Sequence, residues 1–203
     1  MQHTIINVGR SFGSGGGFVG QAVAQKLGIP FYDNELISQA AEESGYSKDL
    51  FAGGEKKRSI FSASSFFTSG RMSYMDGAYV NEDILFKAQS EVIRSIAANG
   101  DAVIIGRCAD YILRDLPCLN VFVSGPEEYR IGRLMETEHL TAEEAEKLMR
   151  RKDRTRETYY KYYTFGSWGQ ASNYHLCIDS SVLGIDGTAD YIIDFGRKAG
   201  LIR

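Results

Sequence analysis

The chain has 203 residues, 43% hydrophobic and 24% charged, with a formal net charge of -3. That length carries one sizeable core and a small insertion, and the charge balance gives no global attraction to duplex nucleic acid or a membrane surface, so any anion site must come from local arginine clusters. Cys108, Cys118 and Cys177 are odd in number and widely spaced, His3, His139 and His175 form no metal-ligand spacing, and no apolar run approaches the ~20 residues of a membrane span, so reduced thiols in a cytoplasmic protein are expected.

The first predicted element is a short strand, Thr4 to Val8, which leads into a glycine-rich run from Gly9 to Gly17. Val19, Ala22, Val23 and Leu27 then recur at helical spacing, and Gly28 ends that helix. A strand, a glycine loop and a helix in succession form a phosphate-holding device. Glycines allow close backbone approach, and the helix amino end adds free N–H groups and partial positive charge. Gly13, Ser14, Gly15, Gly16 and Gly17 are therefore the candidate phosphate-binding residues.

Ile29 to Tyr32 predicts a short second strand, and Asp33 is placed to cap a helix whose Leu36, Ile37, Ala40 and Ala41 share a face before Gly45. From Ser47 to Gly77 the pattern dissolves into serine, glycine and aromatic residues around Lys56-Lys57-Arg58. This is a mobile substrate-covering segment, an interaction surface or simply a solvated loop. A helix follows from Asn81 to about Ala98, with Ile84, Leu85, Ala88, Val92, Ile93 and Ile96 on one side.

Ala102 to Ile105 is a continuous apolar run of the kind buried on both faces of a parallel sheet, and it delivers Gly106-Arg107-Cys108 to its carboxyl end, where open parallel sheets place ligands. Leu119 to Val123 is the fourth strand. Ser124 and Pro126 start a helix, and Thr141 with Glu144 forms a capping box for the next. That helix reaches the most charged passage of the chain, Arg150 to Arg156, then Tyr159, Tyr160, Tyr162 and Tyr163. Arginine's planar fork matches phosphate oxygens, so Arg151, Arg154 and Arg156 are suited to closing over a polyphosphate, while the tyrosines read as packing. Leu176 to Ile178 is a fifth strand, and a last helix runs from about Thr188 to Ala199.

Gly15 to Gly20 also satisfies G-x-G-x-x-G, with Asp33 at the distance of a ribose-binding acid. That pattern is easily met by a glycine-rich run, and an arginine-rich helix has no task in a dehydrogenase.

Ile5-Ile6-Asn7-Val8-Gly9-Arg10-Ser11-Phe12-Gly13-Ser14-Gly15-Gly16-Gly17, Phe31 to Ile37, Ile104-Ile105-Gly106-Arg107-Cys108-Ala109-Asp110, Lys152-Asp153-Arg154-Thr155-Arg156, Tyr163 to Trp168 and Leu176 to Ser181 together resemble the bacterial cytidylate kinase-like family. The likeness is collinear over nearly the whole chain. It implies an α/β, three-layer P-loop fold with a five-stranded parallel sheet and helices on both faces. It also implies a single domain over 1–203: a core at about 1–46, 81–140 and 174–203, a monophosphate-covering segment at about 47–80 and a helical lid at about 141–173. The implied reaction moves the terminal phosphoryl group of ATP, with Mg2+, to CMP or dCMP, so small-molecule nucleotides are the implied partners.

By the same resemblance Arg107 holds the monophosphate side, with Asp33 beside it, and Asp153 and Arg156 lie near the cytidine and the phosphates. The chain departs from the family pattern in five places. Gly16 stands at the phosphate-loop lysine position, Phe18 where a magnesium-binding hydroxyl is expected, Ile105 and Cys108 replace the acids flanking Gly-Arg, and the loop is one residue longer. Arg10, Arg151 and Arg154 are the cations available in place of the lysine. Other functions stay open at this point: a kinase of another small phosphorylated or hydroxyl-bearing acceptor, a nucleotide-binding sensor or scaffold with little or no turnover, and, more distantly, a dinucleotide-dependent oxidoreductase.

Overall fold

The computed structural model describes residues 3–43 and 76–203. Most of the expected covering segment, with Gly45 and the basic cluster at 56–58, lies outside the described residues. Five strands form one sheet: β1 (Ile5–Arg10), β2 (Phe31–Tyr32), β3 (Ala102–Ile105), β4 (Leu119–Ser124) and β5 (Leu176–Asp179). All neighbours pair in parallel, in the order β2-β3-β1-β4-β5. The described helices are α1 (Gly16–Leu27), α2 (Asn34–Glu43), α3 (Asp76–Asn99), α4 (Ala109–Ile112), α5 (Glu127–Glu138), α6 (Ala142–Thr164) and α7 (Ser180–Lys198), with a 3-10 turn at Ala171–Asn173.

The layers follow from strand alternation, since successive side chains of a strand face opposite sides of the sheet. Ile6 and Val8 of β1, Val103 and Ile105 of β3, and Val121 and Val123 of β4 pack with Val19 and Val23 of α1 and Ile192 and Ile193 of α7. On the other face Ile5, Ala102 and Ile104 meet Ile37 of α2, Val92 and Ile93 of α3, and Ile112 of α4. A third cluster joins Leu134 of α5 to Ala145 and Met149 of α6, and Phe12 from the glycine loop packs against it.

Several boundaries differ from the sequence expectation. β1 continues two residues further, to Arg10, because Gly9 and Arg10 pair in register with Phe122 and Val123 of β4. The loop proper is therefore Ser11 to Gly15. α3 begins at Asp76 rather than Asn81. α7 begins at Ser180 rather than Thr188, because the Asp179 carboxylate accepts from Ser181 N–H and caps it, and a break at Gly184 (φ 66°, ψ -174°) separates its first turn from the rest. The capping box forms as expected: Thr141 Oγ1 accepts from Glu144 N–H, and the Glu144 carboxylate accepts from Thr141 N–H at 2.9 Å.

Ile192, with no exposed surface, is held between the first core cluster's strands and helices. Ile192→Ala is expected to lower unfolding stability by about 2–5 kcal/mol in urea titrations.

Candidate active site at the glycine loop

The loop leaves β1 on the central strand and enters α1 through two left-handed glycines, Gly13 (φ 82°) and Gly15 (φ 78°). Both are required. A Cβ at Gly13 would lie 2.9 Å from the Arg130 carbonyl oxygen, and one at Gly15 would lie 2.6 Å from Ile185 Cδ1. Ser14 is fully buried, and its hydroxyl lies 2.9 Å from the Ser11 carbonyl and 3.1 Å from the Val123 carbonyl. Its own carbonyl accepts from Ser180 Oγ at 2.6 Å. The Ser14 side chain therefore shapes the loop. Among the described residues the amides of Gly13, Gly15, Gly17 and Phe18 have no hydrogen-bond acceptor, as the first turn of a helix leaves them. Free amides at a helix amino end, in a cradle that a Cβ would fill, fit a phosphate chain.

Phe12, in the loop, is anchored at every group. Its N–H donates to Asp153 Oδ1 at 2.7 Å, and its carbonyl accepts from Arg130 Nη1 at 3.1 Å. Its ring lies 5.2 Å from the Arg156 guanidinium. Arg130 also pairs with the other Asp153 oxygen, with side chains only 14% and 20% exposed. Arg156 donates to the Arg10 carbonyl at 3.0 Å. α6 is thus tied to the loop through Asp153 and Arg156, on the same side of the helix as Met149 and Tyr160. Burial lowers the Arg156 pKa to about 10, against the opposing pull of Asp153, so it remains a cation at neutral pH.

Arg151 and Arg154 are exposed and lie on the far side of α6, away from the Met149, Asp153 and Arg156 face. Of the three lid arginines singled out in the sequence, the structure brings only Arg156 to the loop.

Arg107 stands at the carboxyl end of β3 in a stretch of three left-handed residues, Gly106 (φ 71°), Arg107 (φ 53°) and Cys108 (φ 54°). Left-handed non-glycine residues cost about 1–3 kcal/mol each and gather at functional sites. The turn is held by Gly106 N–H donating to the Val8 carbonyl and Ile112 N–H to the Cys108 carbonyl. The Arg107 guanidinium reaches Ser38 Oγ at 3.5 Å and lies 5.7 Å from the Tyr159 ring. Gln89 Nε2 donates to the same Ser38 oxygen at 3.1 Å, which makes a polar group between α2, α3 and α6. Asp33 does cap α2, accepting from Glu35 and Leu36 N–H at 3.0 and 2.9 Å. It also faces Arg10, partly offsetting the effect of burial and of Arg156 and Arg107, which together hold the Arg10 pKa well below its usual value.

Four residues were not singled out in the sequence. Arg130 and Arg133, one turn apart on α5, flank the loop, and Arg133 Nη2 would lie 3.2 Å from a Cβ at Gly15. Ser38 and Gln89 complete the Arg107 group. Single polar residues on helices resemble a solvated face, and the only available signal is the i, i+3 arginine spacing just after a buried strand. The tyrosines pack: Tyr163 stacks on Phe86 with centroids 3.8 Å apart, and Tyr160 donates to the half-buried Asp110 at 2.8 Å. Burial raises the Asp110 pKa, and the Tyr160 hydrogen bond partly restores it. Among the described residues no three His, Cys, Asp or Glu side chains converge on a metal site, and neither Gly17 nor Phe18 carries a hydroxyl.

A parallel sheet in this order, with a glycine loop joining its central strand to a helix, defines the P-loop kinase fold. Among solved structures, a shikimate kinase from Acinetobacter baumannii (15% identity, TM-score 0.55, 97% of this chain and 94% of that one) and a gluconokinase from Sinorhizobium meliloti 1021 (17%, 0.53, 98% and 94%) share it. An uncharacterized protein from Eubacterium ventriosum ATCC 27560 is more similar, at 27% identity and TM-score 0.74, covering 98% of this chain and 99% of that one. The chain belongs to the cytidylate kinase-like family, whose model matches residues 5–182. No curated protein matches. Among the described residues no helix is long and apolar enough to cross a membrane.

Asp153→Ala would leave Arg130 without its carboxylate and Phe12 N–H without its acceptor. Breaking a buried pair costs about 3–5 kcal/mol, and the partial exposure here reduces that to an expected ~2–3 kcal/mol. Arg154→Ala is expected to change stability by less than about 0.5 kcal/mol, with both variants compared in urea melts.

Proposed function

We propose that this chain is an ATP-dependent phosphotransferase that moves the terminal phosphoryl group of ATP to CMP or dCMP by in-line transfer, releasing ADP and CDP or dCDP. The observation that carries the reading is the gathering of Arg10, Arg107 and Arg156 at the mouth of a glycine loop whose Gly13, Gly15, Gly17 and Phe18 amides are free, with Asp33, among the described residues, the carboxylate that offsets Arg10. Like charges held together partly out of water repel, and a polyanion between them relieves that repulsion.

In this reading the amides of Gly13 to Gly17 hold the donor phosphates and Arg156 closes over them from α6. Arg107, with Ser38 and Gln89 behind it, orients the acceptor, and Asp33 and Asp153 keep Arg10 and α6 in position. The α6 region acts as the lid. Magnesium arrives as the counter-ion of the nucleotide. Catalysis is then placement and charge stabilisation, with no covalent participation by the protein.

The absence of a lysine at Gly16 favours, as a second reading, a module that binds nucleotide with little turnover in the cytoplasm. A dinucleotide-dependent oxidoreductase fits less well, since its sheet runs 3-2-1-4-5-6 and its acid contacts a ribose.

The test is to incubate the purified chain with ATP, magnesium and CMP, dCMP, shikimate or gluconate while following ADP. CMP or dCMP is expected to give the fastest release, and Arg156→Ala to slow it about 10²–10³-fold, the usual effect of removing one transition-state donor. Nucleotide binding by calorimetry with no ADP from any acceptor would establish the module instead. Fastest release with shikimate or gluconate would replace the acceptor.

A further inference from the structure

The phosphate loop lacks a lysine because another side chain already occupies the space it would need. An ideal Cβ at Gly16, the first residue of α1, would lie 2.5 Å from Arg10 Cβ, 3.2 Å from Arg10 Cγ and 3.1 Å from Val123 Cβ. The first of these neighbours is the root of a side chain fixed to the central strand, so it has little freedom to move aside. No side chain fits at position 16 while Arg10 keeps its path.

That path leads towards the acceptor side. At its far end the Arg10 guanidinium fills the place where a Cβ of Gly106 would be, with Cζ 3.3 Å from that point. The Asn34 carboxamide meets it there. In the orientation that satisfies both of its ends, the Asn34 oxygen accepts from Arg10 Nη2 at 3.2 Å and its nitrogen donates to the Ile105 carbonyl at 3.0 Å. Arg10 therefore starts beneath the amino end of α1 and ends beside Gly106-Arg107, between the free loop amides and the Arg107 group. Two glycines, one at each end, leave room for it.

We infer that Arg10 is the catalytic cation of this loop, reaching the terminal phosphates of the bound nucleotide from the strand side in place of a side chain from position 16. This rests on the phosphotransferase reading and names the residue that performs charge stabilisation within it. As a phosphate oxygen of the acceptor forms its bond to the transferred phosphorus, the bond to the β-bridging oxygen breaks and leaves its electron pair on ADP. Arg10 keeps all its protons and donates hydrogen bonds to the oxygens whose charge changes. An arginine serving only the fold would have carboxylate partners. Arg10 instead extends from the central strand to Gly106 beside two arginines; burial first, then Arg156 and Arg107, lower its pKa, and among the described residues Asp33 opposes them.

The experiment is calorimetric titration of ATP and of AMP into the wild type, Arg10→Met, Arg10→Lys and Gly16→Ala, each with its thermal midpoint measured without ligand. Charge-assisted hydrogen bonds contribute about 1.5–3 kcal/mol, so Arg10→Met is expected to weaken ATP by about tenfold or more and AMP by less than about threefold, with an unliganded midpoint no lower than wild type. Gly16→Ala, which forces the root of Arg10 and the first turn of α1 apart without changing charge, is expected to weaken ATP at least as much as Arg10→Met, and Arg10→Lys to retain an intermediate affinity. ATP affinity in Arg10→Met within about threefold of wild type, or equal loss for ATP and AMP with a lowered midpoint, would overturn the assignment while leaving the nucleotide reading intact. Should Arg10→Met not fold, unchanged ATP affinity in both Gly16→Ala and Arg10→Lys would overturn it equally. A wild type that binds neither nucleotide would remove the phosphotransferase reading, and this assignment with it.

Discussion

The arrangement of the site depends on how Phe12 is held. This one loop residue has its N–H bound by Asp153, its carbonyl by Arg130 and its ring packed into the α5–α6 cluster. Asp153 and Arg130 also pair with each other. The loop, α5 and α6 therefore form one bonded unit, and the amides of Gly13, Gly15 and Gly17 are held open beside it. Without that triangle the loop would keep its short turns and the bonds at Ser11, Ser14 and Ser180 but lose its ties to Arg130 of α5 and Asp153 of α6.

The unit places α6 so that Arg156 faces inward and donates to the carbonyl of Arg10. Arg10 in turn runs beneath the start of α1 and reaches Gly106, where the chain turns through three left-handed residues to present Arg107. The strained turn, the paired glycines and the glycine loop are local departures from regular structure. Each brings a guanidinium towards the same point, and tolerating such departures at a site while the surrounding core stays regular is the ordinary pattern.

Much of the fold was legible in the sequence because β3 is buried on both faces and appears as an unbroken apolar run, because β4 is apolar from Leu119 to Val123 except at Asn120, and because Gly28 and Thr141 with Glu144 mark helix ends by stereochemistry alone. The start of α7 was not, since Ser180 to Gly184 carries no periodic apolar pattern and its first turn is set by one cap at Asp179. In the site, the glycine loop and Arg107 were legible from position. The arginine run was not resolved: Arg150 to Arg156 covers nearly two turns, and only the 3.6-residue period combined with the packing of Met149 and Tyr160 separates Arg156 from Arg151 and Arg154. Arg130 could not be found without knowing that the Phe12 carbonyl awaited a donor. The exclusion of any side chain at Gly16 is a matter of two Cβ positions brought together by the fold, and no sequence pattern reports it.

The most direct measurement is an amide correlation spectrum of isotope-labelled protein titrated with ATP. The account predicts that the resonances of Gly13, Gly15, Gly17 and Phe18 move first and furthest, with Phe12 N–H, already bound to Asp153, moving little. Those four amides staying in place at saturating ATP, while resonances elsewhere shift, would contradict it.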